Sequence, residues 1–404
     1  MIYDIAIVGA GAAGMTAAIT AARNGKKVCV IEHSDRVGKK ILSTGNGKCN
    51  ITNLDMAGSF FNSSSDKDFF RVIEKFAPVD IISFFESLGL FTKGKNGYIY
   101  PAGEQASAVL NALRNEMIRL EIDVFTEFEI HNITRNEKYF EICDKSALKA
   151  YKLIIATGGK AAPKTGSDGS GYELAGKFGH SIIPVIPALV QLKCSDGFCK
   201  SLHGVRCTAK VMAYVDNELV CAADGELQLV DYGISGIPVF QISRHVKRTI
   251  DAGKKPYVLI DFVPDISEDE LKCRLNMIFS VNDNISVNEA LCGLFNKKLS
   301  DALCREAGIN SLECKDMYGK SYRSLIRCIK KFCFHPVDTN SFDNAQVCAG
   351  GVSLDEIDLD TMESKLVNNL YFAGEILDVD GICGGYNLTW AFASGHLAGL
   401  SACK

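Results

Sequence analysis

A run of six small residues, Gly9-Ala10-Gly11-Ala12-Ala13-Gly14, limits the fold more than any other feature of the chain. It lies between an apolar stretch at residues 4–8 and a helical stretch at 14–24, and a second apolar stretch follows at 27–31. The order is therefore strand, helix, parallel strand. In a G-x-G-x-x-G crossover the first glycine permits the tight turn. The second lets the backbone approach a pyrophosphate, and the third lets helix and strand pack closely. Gly9, Gly11 and Gly14 fill those places, with Ala12 and Ala13 in the first helical turn, where free N–H groups and the helix dipole favour a diphosphate. Glu32 ends the second strand, eighteen residues beyond Gly14, where a carboxylate accepts bonds from both hydroxyls of an adenosine ribose and repels a 2′-phosphate. A glycine-rich turn without a ligand is the plain alternative. Strand, helix and acid in one frame favour dinucleotide binding.

Two distant segments separate FAD from NAD. Ile154-Ile155-Ala156-Thr157-Gly158-Gly159 ends an apolar run in small residues, so Thr157 and Gly158 pass close to a bound nucleotide. Leu370-Tyr371-Phe372-Ala373-Gly374-Glu375 ends another run in Gly374-Glu375, which can place the Glu375 carboxylate toward the ribityl or diphosphate region. Three approaches from distant parts of the chain suit a long extended ligand such as FAD.

The 404 residues exceed what one core usually holds, and 47% hydrophobic with 23% charged residues is ordinary globular composition. The expected fold class is α/β. A Rossmann-type FAD-binding domain is built from both chain ends, residues 1–190 and 335–404, around an inserted β-rich domain at 191–262 and a helical subdomain at 263–334. The strand-like alternation at 210–215 and 218–223 marks the first insert. Ser267 ahead of Glu268-Asp269-Glu270 reads as a helix N-cap that opens the second. Single helices are expected over 68–88 and 104–120, and strands at 98–101, 123–134, 139–143 and 151–156.

A net charge of -4 gives no basic field for nucleic acid or anionic membrane, so a small-molecule substrate is expected and nucleic acid is not. The apolar runs at 5–22 and 381–403 are broken by glycines near their starts, so no membrane span is expected. Sixteen cysteines include no C-x-x-C; the closest pairs are Cys194 with Cys199 and Cys328 with Cys333. That pattern suits small core residues in a reduced, cytoplasmic protein better than a zinc site or redox dithiol. His180, His203, His335 and His396 form no metal set and fall near element ends, where structural hydrogen bonding is the commoner role.

These motifs, together with the stretch at 38–53, Gly166-Ser167-Asp168-Gly169-Ser170-Gly171-Tyr172, Gly233-Ile234-Ser235-Gly236, Gly350-Gly351-Val352, and Gly374 through Leu388, resemble the BaiN-like flavoprotein family, also called the HI-type or RdsA-like FAD-dependent oxidoreductases. The resemblance covers essentially the whole chain. It implies an FAD domain completed by the C-terminus, an inserted β-barrel part and a helical part. It also implies reduction of activated double bonds, including those of oxidised bile acids, or amine oxidation. Val230-Asp231 stands where members often carry Thr-His, and Cys348 where many carry Thr, so the roles of those polar groups do not transfer.

Hydride acceptance at a flavin N5 develops negative charge along N1 and the C2 carbonyl, which a helix start can meet. Gly384 and Gly385 followed by Asn387 and Leu388 are the expected start, opening a helix at 389–399; a glycine hinge capping a core helix is the alternative. The stretch 43–53 is expected to wrap the flavin, with Lys39 or Lys40 near phosphate and Gly45, Asn46, Cys49 and Asn50 beside the ring or ribityl chain. Cys49 lacks a partner at redox spacing. Tyr386 is a candidate proton donor, with packing as its alternative. The leading expectation is reduction by NADH or NADPH, bound transiently because no second G-x-G-x-x-G occurs, followed by flavin-dependent reduction of an activated double bond. Amine oxidation and an RNA-associated flavoprotein are the alternatives.

Overall fold

The computed structural model describes residues 2–144 and 147–404, which fall into two units: Met1–Ile186 with Gln346–Lys404, and Pro187–Ala345.

In the first unit, strand Ile2–Val8 is the axis of a sheet. Val8 is in register with Ile31 on one side and Ile155 on the other, Ile155 with Phe372, and Ile31 with Phe125. All four pairings are parallel, giving the order Leu370–Phe372, Ala147–Ile155, Ile2–Val8, Val28–Ile31, Asp123–Phe125. Ile5, Ile7, Val30, Ile154 and Phe372 are fully buried, because parallel strands are covered on both faces. That burial explains why these strands read as unbroken apolar runs. The strand expected over 123–134 is two, Asp123–Phe125 and Asn132–Arg135, with Glu127 at φ 54° turning the chain between them. The helix expected over 68–88 is also two, Phe70–Glu74 and Pro78–Ser87, since Ala77 is extended and Pro78 starts a new first turn.

Helix Ala12–Arg23 lies against the C-terminal helix Tyr386–Ser401. A Cβ at Gly395 would stand 2.4 Å from the Ala13 carbonyl oxygen, and one at Gly399 2.5 Å from that of Ala17. Glycines four apart on one helix thus meet alanines four apart on the other, and the backbones nearly touch. Trp390 Nε1 donates to Gly374 O at 3.1 Å, and Gly374 N donates to Ser394 Oγ at 2.9 Å. The last helix is therefore tied to the turn that follows strand Leu370–Phe372.

The second unit is one antiparallel sheet with helices around a single core. The strand-rich and helical stretches share that core, where Val211, Ile260 and Phe332 cluster with Leu275, Leu303 and Ile326. The sheet path begins at Phe332–Phe334 and ends at Pro336–Thr339, strands separated in the chain only by His335, so the sheet curls round on itself. Helix Ile237–Asp251 replaces part of the run expected to be strand-rich. Gly236 at φ 102° ends the preceding strand, Pro238 fits the first turn, and Val239, Ile242 and Val246 are buried at helical spacing. Ser267 caps helix Glu268–Val281 by accepting from Glu270 N at 3.1 Å. No helix among the described residues is long and apolar enough to cross a membrane.

Candidate functional site

Val8, Ile31, Ile155 and Phe372 stand at the same level of the sheet, so their following turns gather at its C-terminal edge, where ligands of open parallel sheets bind. Backbone bonds fix the turns there: Gly9 N to Ile31 O at 2.8 Å, Ala156 N to Val8 O at 2.8 Å, and Ala373 N to Ile155 O at 3.1 Å. A cavity of about 670 Å³ opens at this edge within the first unit. Gly9, Gly11, Ala12, Ala13, Glu32, Lys40, Thr157, Gly158, Gly374, Glu375, Asn387 and Leu388 all line it.

The three fingerprint glycines differ physically. Gly9 has φ 100°, and a Cβ there would lie 2.4 Å from Ala156 O. At Gly14, which does not line the cavity, a Cβ would lie 1.9 Å from Gly9 O. At Gly11 a Cβ would meet nothing within 4 Å, although the residue borders the cavity. The first and third are demanded by the fold, and the second leaves space beside the helix start. That start, which lines the cavity, has Gly11 as N-cap, no side-chain cap bond and no acid in its first turn, so no side chain of the helix itself occupies its free N–H groups.

Glu32 is 9% exposed. Its two oxygens accept from Ala10 N at 3.0 Å and Ser34 N at 2.9 Å. Each carboxylate oxygen retains lone-pair capacity for a ligand hydroxyl. Lys40 Nζ bonds Glu375 Oε2 at 2.6 Å, while Glu375 Oε1 accepts from Cys348 N at 2.9 Å. These residues join three segments, and the lysine charge is met before any phosphate arrives. Behind Glu375, Cys348 Sγ accepts from Lys160 N at 3.0 Å, and burial and the Glu375 charge push its thiol up to about 12. Thr157 Oγ1 is buried without a hydrogen-bond partner and sits against Gly171, where a Cβ would be 1.8 Å away.

Other expected site residues lie apart from this cavity. Gly45 and Asn46 have left-handed backbones, and Asn46 lines a separate cavity with Lys48, Lys93 and Glu104. Cys49 is fully buried, and burial pushes its thiol up to about 11. Asn50 Oδ1 is buried without a hydrogen-bond partner. Of the stretch expected to wrap the ring, only Thr44 lines the main cavity. Gly385 has φ 96° and closely approaches the protein itself: a Cβ there would lie 2.9 Å from the Thr52 carbonyl carbon. Asn387 lines the cavity with its amide occupied, Oδ1 accepting from Gly381 N at 2.8 Å and Nδ2 donating to Gly381 O at 2.8 Å. Tyr386 is 4% exposed, donates its hydroxyl to Asp55 O at 3.1 Å, and packs at a tilt on Phe60 and edge-to-face on Phe61. Burial and the Asp55 charge push its phenol up to about 12.

Sequence reasoning missed the wall formed by Glu127 through His131, Trp390, and the pocket face of Gly166, Ser167 and Asp168. Asp168 accepts from Ser170 N at 2.9 Å and Ser170 Oγ at 2.6 Å. Burial acts to raise the Asp168 carboxyl, but those donors and the neighbouring His33 hold it below the usual range. The glycine-rich run at 166–171 was the available signal. Among the described residues no group of three or more His, Cys, Asp or Glu is arranged to hold a metal.

The cavity's size, the uncapped helix start, the open space at Gly11 and the braced Glu32 fit FAD. The family model of the HI0933-like protein Rossmann domain matches residues 3–401. The chain is 43% identical to a 3-dehydro-bile acid delta(4,6)-reductase of Clostridium scindens, over 99% of each chain. It is 28% identical to a ribosomal RNA dihydrouridine synthase of Escherichia coli, over 97% of this chain and 96% of the relative. A flavocytochrome c3 fumarate reductase in its open conformation shares the fold, with a TM-score of 0.50 at 15% identity over 100% of this chain and 78% of that one. By family match, relatives and site together, the chain is an FAD-dependent oxidoreductase and belongs to the HI0933-like Rossmann family.

Proposed function

We propose that the protein is an NAD(P)H-linked reductase of an activated carbon–carbon double bond, with a 3-oxo-4-ene steroid or bile-acid-like substrate. The observation that carries this reading is the 43% identity, end to end, with the bile-acid delta(4,6)-reductase. In the cavity, the first-turn N–H groups after Gly11 hold the diphosphate and Glu32 holds the adenosine ribose. The Lys40–Glu375 pair ties the segments at 38–44 and 374–376 together at the cavity wall. FAD held by these residues would supply the hydride chemistry of such a reduction. Because the Tyr386 hydroxyl is bonded to Asp55 O and its ring packs against Phe60 and Phe61, we assign it a packing part and leave proton delivery to another group.

Anaerobic photometry tests the proposal. NADPH or NADH should bleach the yellow holoprotein, and a 3-oxo-4-ene bile acid should restore its colour. Bleaching by amines but by neither nicotinamide would reject the reductase reading. A second reading, ribosomal RNA as acceptor, rests on the 28% identity with dihydrouridine synthases and runs against the net charge of -4. Reoxidation of the reduced flavin by ribosomal RNA, but not by the steroid, would favour it.

A further inference from the structure

The corner where the second sheet curls back carries a group of side chains that do not line the cavity of the first unit. Strand Phe332–Phe334 turns both phenylalanines into the core, where each ring lies 5.1 Å from that of Phe198. The period of two therefore sends Cys333 to the opposite face, along with His335 two residues on. There Cys333 Sγ lies 3.6 Å from His335 Nε2, and His335 Nδ1 lies 2.8 Å from Asp196 Oδ1. The His335 backbone N–H donates to Asp196 Oδ2 at 2.7 Å, so one carboxylate orients both ring and main chain. The Asp196 side chain is 8% exposed and that of His335 is 59% exposed, so the orienting charge is shielded while reagents can reach the imidazole side.

Nucleophile, base and orienting acid stand in sequence within hydrogen-bond reach, the arrangement that activates a weak nucleophile. An Nδ1–H bonded to the carboxylate leaves Nε2 as an acceptor aimed at the thiol. Burial and the Asp196 charge push the Cys333 thiol up, with Arg327 opposing, so the sulfur is protonated at rest and a base must act during attack. The imidazolium that forms is met by Asp196. Burial, with Asp196 nearby, pushes the Cys194 thiol up as well, so a further thiol shares the corner.

We infer that Cys333 is a nucleophilic modification site for hydroperoxides, with His335 as its base and Asp196 as the positioning residue. As the sulfur attacks, the S–O bond forms and the O–O bond breaks. Sulfur is oxidised to the sulfenic acid, the hydroperoxide is reduced to an alcohol or water, and the thiol proton passes through His335 Nε2 to the departing oxygen.

The holoprotein is treated with hydrogen peroxide at pH 7, sulfenic acid is trapped with dimedone, and sites are ranked by peptide mass spectrometry. Iodoacetamide alkylation rates are measured alongside. Exposed Cys273 and Cys292 are the internal references. Half-buried Cys333 should react about tenfold or more faster than either, and His335→Gln or Asp196→Asn should lower its rate about tenfold or more with the references unchanged. The inference is overturned if Cys333 in the unaltered protein reacts no faster than the references, or if His335→Gln leaves its rate unchanged. Should a variant misfold, seen as labelling of buried Cys199 and Cys304, the ranking in the unaltered protein decides alone.

Discussion

Gly11 and Gly14 are three residues apart and answer to different masters. A side chain at Gly14 collides with Gly9 O inside the fold, whereas one at Gly11 meets only the space beside the helix start. Gly11→Val should therefore leave the melting temperature of the flavin-free protein nearly unchanged while abolishing yellow absorbance after incubation with FAD. Gly14→Val should yield little folded protein by circular dichroism. Equal thermal damage from both would remove the assignment of Gly11 to the cofactor. Glu32→Ala removes an acceptor whose charged bonds are each worth about 1.5–3 kcal/mol, so FAD affinity in a fluorescence titration should fall roughly ten- to hundredfold. The placement of these residues was legible because the fingerprint is local: turn, helix start and acid lie within 24 residues. Tyr386, Gly385 and Asn50 were harder to place. The first two have their partners Asp55 and Thr52 more than 300 positions away, and no spacing rule reaches that far.

Among the elements, the pairing of helices Ala12–Arg23 and Tyr386–Ser401 depends on absent side chains. Gly395→Val places a Cβ 2.4 Å from a backbone carbonyl that has no rotamer to yield, so the helices must part. The expected cost is about 1–3 kcal/mol in denaturant unfolding, with weaker FAD retention because Trp390 and Ser394 lose their grip on the Gly374 turn. Unchanged stability would show that the crossing relaxes freely. Strand and helix types in the first unit could be read from apolar runs and breakers. Helix Ile237–Asp251 could not be separated from its strand-rich surroundings, although Gly236 and Pro238 marked its start. Likewise the break at Pro78 was visible in the sequence, but continued apolar periodicity on both sides concealed it.

Taken over the whole molecule, buried His180 and half-buried His245 and His396 set a direction for pH dependence. Burial lowers His180 and His396 below the usual 6.5, and burial with Arg244 and Arg248 nearby lowers His245 to about 4. Their folded-state pKa values lie below the unfolded ones, so the unfolded chain binds protons first as pH falls. The contribution is complete above about pH 6.5 and is lost on descending toward pH 4. The melting temperature should thus hold near pH 7 to 8 and fall through that window. A flat profile between pH 7 and 5 would contradict it. Composition and length signalled more than one domain, and the fingerprint with its distant companions signalled a nucleotide domain completed by the C-terminal part. How the inserted segments share one core rests on long-range contacts among residues such as Val211, Phe332 and Leu303, for which local patterns carry no record.

The glycine-to-alanine crossing has a consequence in time. During synthesis the helix at 12–23 leaves the ribosome several hundred residues before the helix at 386–401 that covers it, a delay on the order of tens of seconds at about 5–20 residues per second. Through that interval the alanine face that meets Gly395 and Gly399 lacks its partner, so this crossing can close only at the end of synthesis.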